Sequence, residues 1–106
     1  MFEELSVKIL TWAQRKNLIP GDPDKQMIKL MEEAGELAGA LLKSDQDKII
    51  DGIGDCLVVL IILAEQLDLS AVICLDTAWN EIKDRTGKTI NGSFIKDLPP
   101  IPRDLK

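Results

Sequence analysis

Five carboxylates in two short clusters carry most of the chemistry this chain offers. Glu32, Glu33 and Glu36 fall in the run KLMEEAGELAGALL, and Asp51 and Asp55 open the run DGIGDCLVVLIILAEQL. Helical residues advance by about 100° each, so Asp51, Asp55, Val58 and Ile62 fall within roughly 60° of one another. Whatever covers Val58 and Ile62 therefore covers, or nearly covers, the two aspartates. An unpaired carboxylate so placed costs several kcal/mol or takes up a proton. A second acid nearby raises the pKa of at least one member of the pair. A hydrated divalent cation removes both penalties.

The first cluster is plainer by itself. Met27, Leu30, Met31, Ala34, Leu37, Ala38 and Leu41 form an apolar stripe at helical spacing. Glu33 falls near the edge of that stripe, with Glu32 and Glu36 on the far side. Alone, this triplet is an ordinary solvated helix face. Facing aspartates, or a second subunit, turn it into a site. Hard cations take oxygen ligands, and Mg²⁺ (with Mn²⁺ as the alternative) uses a few carboxylates while keeping waters and substrate phosphates. Glu33, Glu36, Asp51 and Asp55 suit that role, and Glu32 is placed to position or deprotonate a water.

Further along, Asn80 and Lys83 share a helical face, and Arg85 and Lys88 follow. They can hold phosphate oxygens, or simply form a polar helix end whose cations suit the dipole. Lys29 lies one turn before Glu33, where it pairs with that acid or reaches a phosphate. Trp12 serves either as a core residue or as a platform for a base.

Helical periodicity must position these groups along nearly the whole chain. The first helix is expected over Phe2 to Lys16. Asp22 caps a second, with Pro23 at its first position, running to about Lys43. Ser44 with Asp47 reads as the capping arrangement of a third, ending near Leu67. Ser70 caps a fourth, with Ala71, Val72, Leu75, Ala78, Trp79 and Ile82 as its apolar positions and Gly87 as its stop. Asn91-Gly92 between short β-prone stretches signals a small hairpin, and Pro99, Pro100 and Pro102 argue against a regular tail element. The third helix is apolar nearly all round from Cys56 to Leu63. One small domain cannot bury every face of it, so a homo-oligomer, dimer or tetramer, is expected to complete the bundle. Gly35, Gly39, Gly52 and Gly54 cost about 1 kcal/mol each inside helices. They serve either to draw the acidic clusters toward one ion or simply to allow tight packing.

Composition sets the outer limits. At 106 residues the chain fits one domain, with a core over about 2–87 and an extension over 88–106. A net charge of −5 and no basic block argue against nonspecific nucleic-acid binding, though not against nucleotides. The absence of histidine removes His-based acid–base and nucleophilic chemistry and His-containing metal sites. Cys56 and Cys74 sit at no metal-ligand spacing and read as small core residues in a reducing compartment. The start MFEEL lacks a signal-peptide core, and the apolar run Cys56 to Ala64 falls short of the roughly 20 residues that span a bilayer. A cytoplasmic protein without membrane association is expected.

Together the motifs resemble the MazG-like family of all-α nucleotide pyrophosphohydrolases, related to the dimeric all-α dUTPases. The family pattern is EExxE on one helix, an acidic motif ending in Asp on the next, then Asn and Lys, often with Arg, on a later one. Here these read EEAGE (Glu32, Glu33, Glu36), DGIGD (Asp51, Asp55) and NEIKDR (Asn80, Lys83, Arg85). The resemblance covers roughly Lys25 to Lys88. One departure stands out: the family's second motif is usually ExxD, which places an acid at position 52, where this chain has Gly52. Asp51, a full turn before Asp55, is the candidate substitute. The resemblance implies an all-α four-helix fold and Mg²⁺-dependent hydrolysis of a nucleoside triphosphate between its α and β phosphates, releasing the monophosphate and pyrophosphate. Glu32, Glu33, Glu36 and Asp55 would be catalytic, and Lys83, Asn80, Arg85, Lys29 and Trp12 substrate-binding. The rival reading is a noncatalytic helical module for interaction or nucleotide binding.

Overall fold

A computed structural model describes residues 1–98 of the chain. Four helices run in order, α1 (Phe2–Arg15), α2 (Pro23–Leu42), α3 (Gln46–Gln66) and α4 (Ala71–Ile82), followed by strands β1 (Gly87–Ile90) and β2 (Ser93–Lys96). The fold is all-α with a two-stranded appendage, as the periodicity implies. It divides into two compact units, Met1–Cys74 and a second beginning at Leu75. The three prolines near the C-terminus fall outside the described residues.

In the first unit α2 and α3 form the main packed pair, and α1 lies against α3. The N-caps hold α2 and α3 in register: Asp22 accepts from the Asp24 amide, and Asp45 accepts from the Lys48 amide. The cap of α3 is thus Asp45, not Ser44. Ser44 instead takes φ = 53° and closes α2, with the Ser44 amide donating to Leu41 O and the Asp45 amide to Ala40 O. Those two bonds are the Schellman pattern. Asn17 and Asp68 close α1 and α3 the same way. Each of these three positions tolerates the left-handed conformation without glycine, which is why no Gly marks the helix ends.

Gly52 lies where α3 packs against Leu37 of α2. A Cβ there would stand 3.2 Å from both Cβ and Cδ1 of Leu37, whereas Gly35, Gly39 and Gly54 have nothing within 4 Å. Of the four glycines, only Gly52 serves close approach within the protomer. The core is small: Ala13, Ala40, Val59, Ile61, Ile62 and Ala64. The expected apolar stripe of α2 is largely on the surface, with Met27, Met31, Ala34, Ala38 and Leu41 exposed. The face turned inward is instead Gln26, Leu30, Glu33, Leu37 and Ala40. A helix rich in apolar residues on two sides offers two stripes, and the one carrying Glu33 is the one packed on α3. Ile50, Ile53, Leu57 and Leu60 of α3 are exposed as well.

α4 begins in the first unit and ends, in the second, at Ile82, well before Gly87, which belongs to β1 rather than to the helix stop. Ser70 caps α4, its hydroxyl accepting from the Ile73 amide at 3.3 Å. No residue of α4 is buried, and Cys74 is exposed rather than a core residue, while Cys56 is half-buried. The hairpin pairs Lys88 with Ile95 and Thr89 with Phe94, turning at Asn91 and Gly92, both of positive φ.

Candidate functional site

Position along α2 decides which acids are buried. Gln26, Glu33 and Ala40 recur at seven-residue spacing and lie on the face against α3. Gln26 donates from Nε2 to the Val59 carbonyl at 3.2 Å, tying α2 to the middle of α3. One heptad on, Glu33 is only 8% exposed, an acid inside the helix pair. Its Oε1 accepts from Lys29 Nζ at 3.2 Å, and its Oε2 is buried with no hydrogen-bond partner. Lys29 also stands 3.9 Å from Glu32, which is exposed. The hydrogen bond to Glu33, then the charge of that carboxylate, holds the Lys29 ammonium above its ordinary pKa of 10.5.

The stripe on α3 grades from core to solvent. Ile62 is 2% exposed, Val58 and Asp55 are half-buried, and Asp51 is exposed. The cover over Ile62 thus reaches Asp55 and stops short of Asp51. Partial burial raises the Asp55 pKa above 3.8 first, followed by the charges of Asp51 and Glu33 and then a hydrogen bond to Glu33; Lys29 opposes them weakly. Only the protonated carboxyl can donate that bond. With both acids ionised neither carries a hydrogen, and Glu33 Oε2 is left bare.

A cleft of about 390 Å³ opens between α2 and α3 beside these acids, lined by Glu36, Gly39, Ala40, Lys43, Lys48, Asp51, Gly52 and Asp55. The structure therefore gathers Glu36 from α2 and Asp51 and Asp55 from α3 around one cleft, while Glu33, buried on the α2 face against α3, is not part of its lining. Gly52 faces Leu37 at the helix contact, so an acid at that position would have to displace Leu37. Asp51, one residue earlier, lies in the cleft instead. Lys43 and Lys48 escaped the sequence reading. They bracket the α2–α3 turn, and a charge so close to a helix end is ordinarily read as capping. Gln26 also went unnoticed, although its seven-residue offset from Glu33 was available.

A divalent cation fits this donor set in kind. All the candidate groups are hard oxygen donors, and a buried carboxylate oxygen without a partner sits among them. Among the described residues no three acids already stand together as a complete ligand set. Glu36 and Asp51 are exposed side chains on either side of the cleft.

The remaining candidates lie elsewhere. Trp12 of α1 is partly exposed beside an apolar groove of about 310 Å³ shared with Lys8, Ile9 and Val58. In the second unit Asn80 donates to Asp76 at 3.2 Å and Arg85 pairs with Glu81 at 3.4 Å. Both are i, i+4 pairs of the bland kind. Asn80 and Arg85 line a shallow cleft with Thr86 and Lys96, and Lys83 is exposed outside its lining.

No helix among the described residues is by itself long and apolar enough to cross a membrane. The model of the MazG nucleotide pyrophosphohydrolase domain matches residues 22–88. An uncharacterized 18.2 kDa protein in the rep-hol intergenic region of Haemophilus phage HP1 (strain HP1c1) is 46% identical over 72 residues. That stretch is 67% of this chain and 44% of the phage protein, so the chain spans less than half of its relative's length. No solved structure matches the chain.

Proposed function

The chain belongs to the MazG nucleotide pyrophosphohydrolase family, and from that premise we propose that it hydrolyses nucleoside triphosphates. The reaction is cleavage of a (deoxy)nucleoside triphosphate to the monophosphate and pyrophosphate, clearing non-standard or surplus nucleotides from a cytoplasmic pool. The observation that supports this most directly is Glu33, an acid buried between α2 and α3 with one bare oxygen and Asp55 facing it. A packing role alone gives no reason to keep a carboxylate there.

Glu33, Glu36, Asp51 and Asp55 would hold Mg²⁺ or Mn²⁺. The ion supplies activation of water and neutralisation of charge developing on the phosphates. Glu32, exposed on the turn that carries Glu33, takes the proton of the attacking water and releases it to solvent. One water is consumed as the α–β anhydride bond breaks and pyrophosphate leaves. Lys83, Asn80 and Arg85 are assigned to phosphate oxygens from the family pattern, and Trp12 to the base. The working form is a homo-oligomer, dimer or tetramer, to which the exposed apolar residues of α2 and α3 point.

A panel of common and modified nucleoside triphosphates, each with Mg²⁺ or Mn²⁺, tests the proposal through pyrophosphate release. Release from at least one, with the matching monophosphate, is expected. Binding without release across the whole panel would leave a nucleotide-binding module and end the catalytic reading.

A further inference from the structure

The two oxygens of Glu33 keep unequal company. Oε1 is engaged by the Lys29 ammonium at 3.2 Å, and Oε2 is buried and bare. Lys29 is more than half exposed and reaches the site from the solvent side, with Glu32 3.9 Å away as its second anion. A monovalent cation thus already sits on the acid assigned above to a divalent one. Two cations cannot share that carboxylate freely. An ammonium at hydrogen-bond distance occupies Oε1 and leaves an ion only Oε2 of the same carboxylate, and like charges about 4 Å apart repel appreciably even in a polar setting. Lys29 needs no backbone movement to leave, because its long side chain is more than half exposed and can swing into water while Glu33 stays buried.

We propose that Lys29 is a competing counter-ion, whose ammonium holds Glu33 against divalent cations and keeps the metal affinity of the site below what its carboxylates alone would give. The inference rests on the metal-site reading above. It makes Lys29 a positioning residue acting through Glu33, and metal entry then frees the ammonium from the acid. The opposite role has the opposite signature: if Lys29 merely aimed Glu33 at the ion, its removal would weaken binding.

The test titrates Mn²⁺ alone into the full chain stripped of divalent ions, with heat as the readout and no nucleotide present. Lys29→Met is expected to bind Mn²⁺ about three- to tenfold tighter than the wild type, the span of affinity such a pair can withhold. Lys43→Met removes the same charge from the cleft without touching Glu33, and should tighten binding less. Lys29→Gln carries the same expectation should the Met variant fail to fold. Unchanged or weaker binding in the Lys29 variants would overturn the proposal, as would equal tightening in Lys43→Met, which would reduce the effect to general charge. A wild type that takes up no Mn²⁺ would sink the metal reading and this inference with it. A wild type that binds, beside Lys29 variants that bind no tighter, would sink the inference alone.

Discussion

Glu33 on α2 and Asp55 on α3 belong to different helices yet act on one another: after partial burial and the charge of Asp51, the Glu33 charge and a hydrogen bond to it raise the Asp55 pKa above its ordinary value. Two acids in that relation are mutually unfavourable when both are charged. The packing that brings them together is specific: Gln26 bonds Val59 O one heptad before Glu33, and Gly52 admits Leu37 three residues before Asp55. Glu36, at the exposed edge of the same cleft, separates function from folding. Glu36→Gln should change stability by less than about 0.5 kcal/mol, as an exposed substitution does. Its pyrophosphate release should fall by more than about 100-fold, since losing a carboxylate costs at least what losing an outer-shell partner does. Full activity in that variant would remove Glu36 from the site.

The Asp55 shift gives a pH dependence of definite sign. Its folded pKa lies above 3.8, so the native state holds the proton more tightly than the unfolded chain. Stability contributed by Asp55 is therefore present at low pH and lost as pH rises from 3.8 through the raised value. In protein stripped of divalent ions, Asp55→Asn should gain on the wild type as pH climbs from about 3.5 to about 6. Melting curves across that range check it. An Asp55→Asn variant that loses ground to the wild type as pH rises would contradict the arrangement. Lys29 acts at the alkaline end: its pKa is raised above 10.5, so its contribution is intact below that value and is lost as pH rises through the higher one.

Much of this was legible in the chain. The α2 start at Asp22-Pro23 and the Asn91-Gly92 turn are local chemistry, and each falls where the residues predict. The Ser44–Asp45 junction does not, because two adjacent residues can each cap a helix and the αL position went to Ser44 without a glycine to mark it. The burial of Glu33 was hidden for a different reason. Met27, Met31 and Leu41 form the greasier stripe of α2, yet the stripe of Gln26, Glu33 and Ala40 packs on α3. Periodicity gives the faces of a helix and not which neighbour takes each one. Residue type and spacing single out the acids as candidates. Lys43 and Lys48 could be placed beside them only once the cleft was seen.

Metal addition should show as stability before it shows as turnover. At 100 times its Kd, Mg²⁺ should add about 2.7 kcal/mol to the native state, and a chelator should remove it. Asp55→Asn should lose most of that increment. Melts with and without millimolar Mg²⁺ read both. A wild type whose melting is indifferent to Mg²⁺ and Mn²⁺ would favour an interaction module.

The glycines offer an internal comparison. At Gly52 an added methyl would meet Leu37 Cβ and Cδ1 at 3.2 Å and its Cα at 3.4 Å, atoms that cannot retreat unless α2 moves. Gly52→Ala gains about 1 kcal/mol of helix propensity and loses about 1–3 kcal/mol to overpacking, so net destabilisation is expected. Gly35→Ala and Gly39→Ala face open space in the protomer. Each should be stabilising by about 0.5–1 kcal/mol if nothing else packs there. Destabilisation at Gly35 or Gly39 in denaturant melts would reveal a second chain seated against α2.

That second chain can be sought directly. Met31 and Ile28 on α2, and Ile53, Leu57 and Leu60 on α3, leave apolar surface in water that the protomer does not cover. Covering it is favourable by about 25 cal/mol per Å², and a stable interface needs about 800 Å² from each partner. Sedimentation at micromolar concentration should therefore show a dimer or tetramer. Leu57→Lys places a charge on the α3 patch and should shift the distribution toward monomer, while leaving the exposed position harmless to the protomer's own fold. The helical signal in circular dichroism separates the two effects, since dissociation alone keeps it and unfolding does not. A wild type that sediments as a monomer over the whole range would remove the homo-oligomer, and Leu57 would then be an ordinary surface leucine.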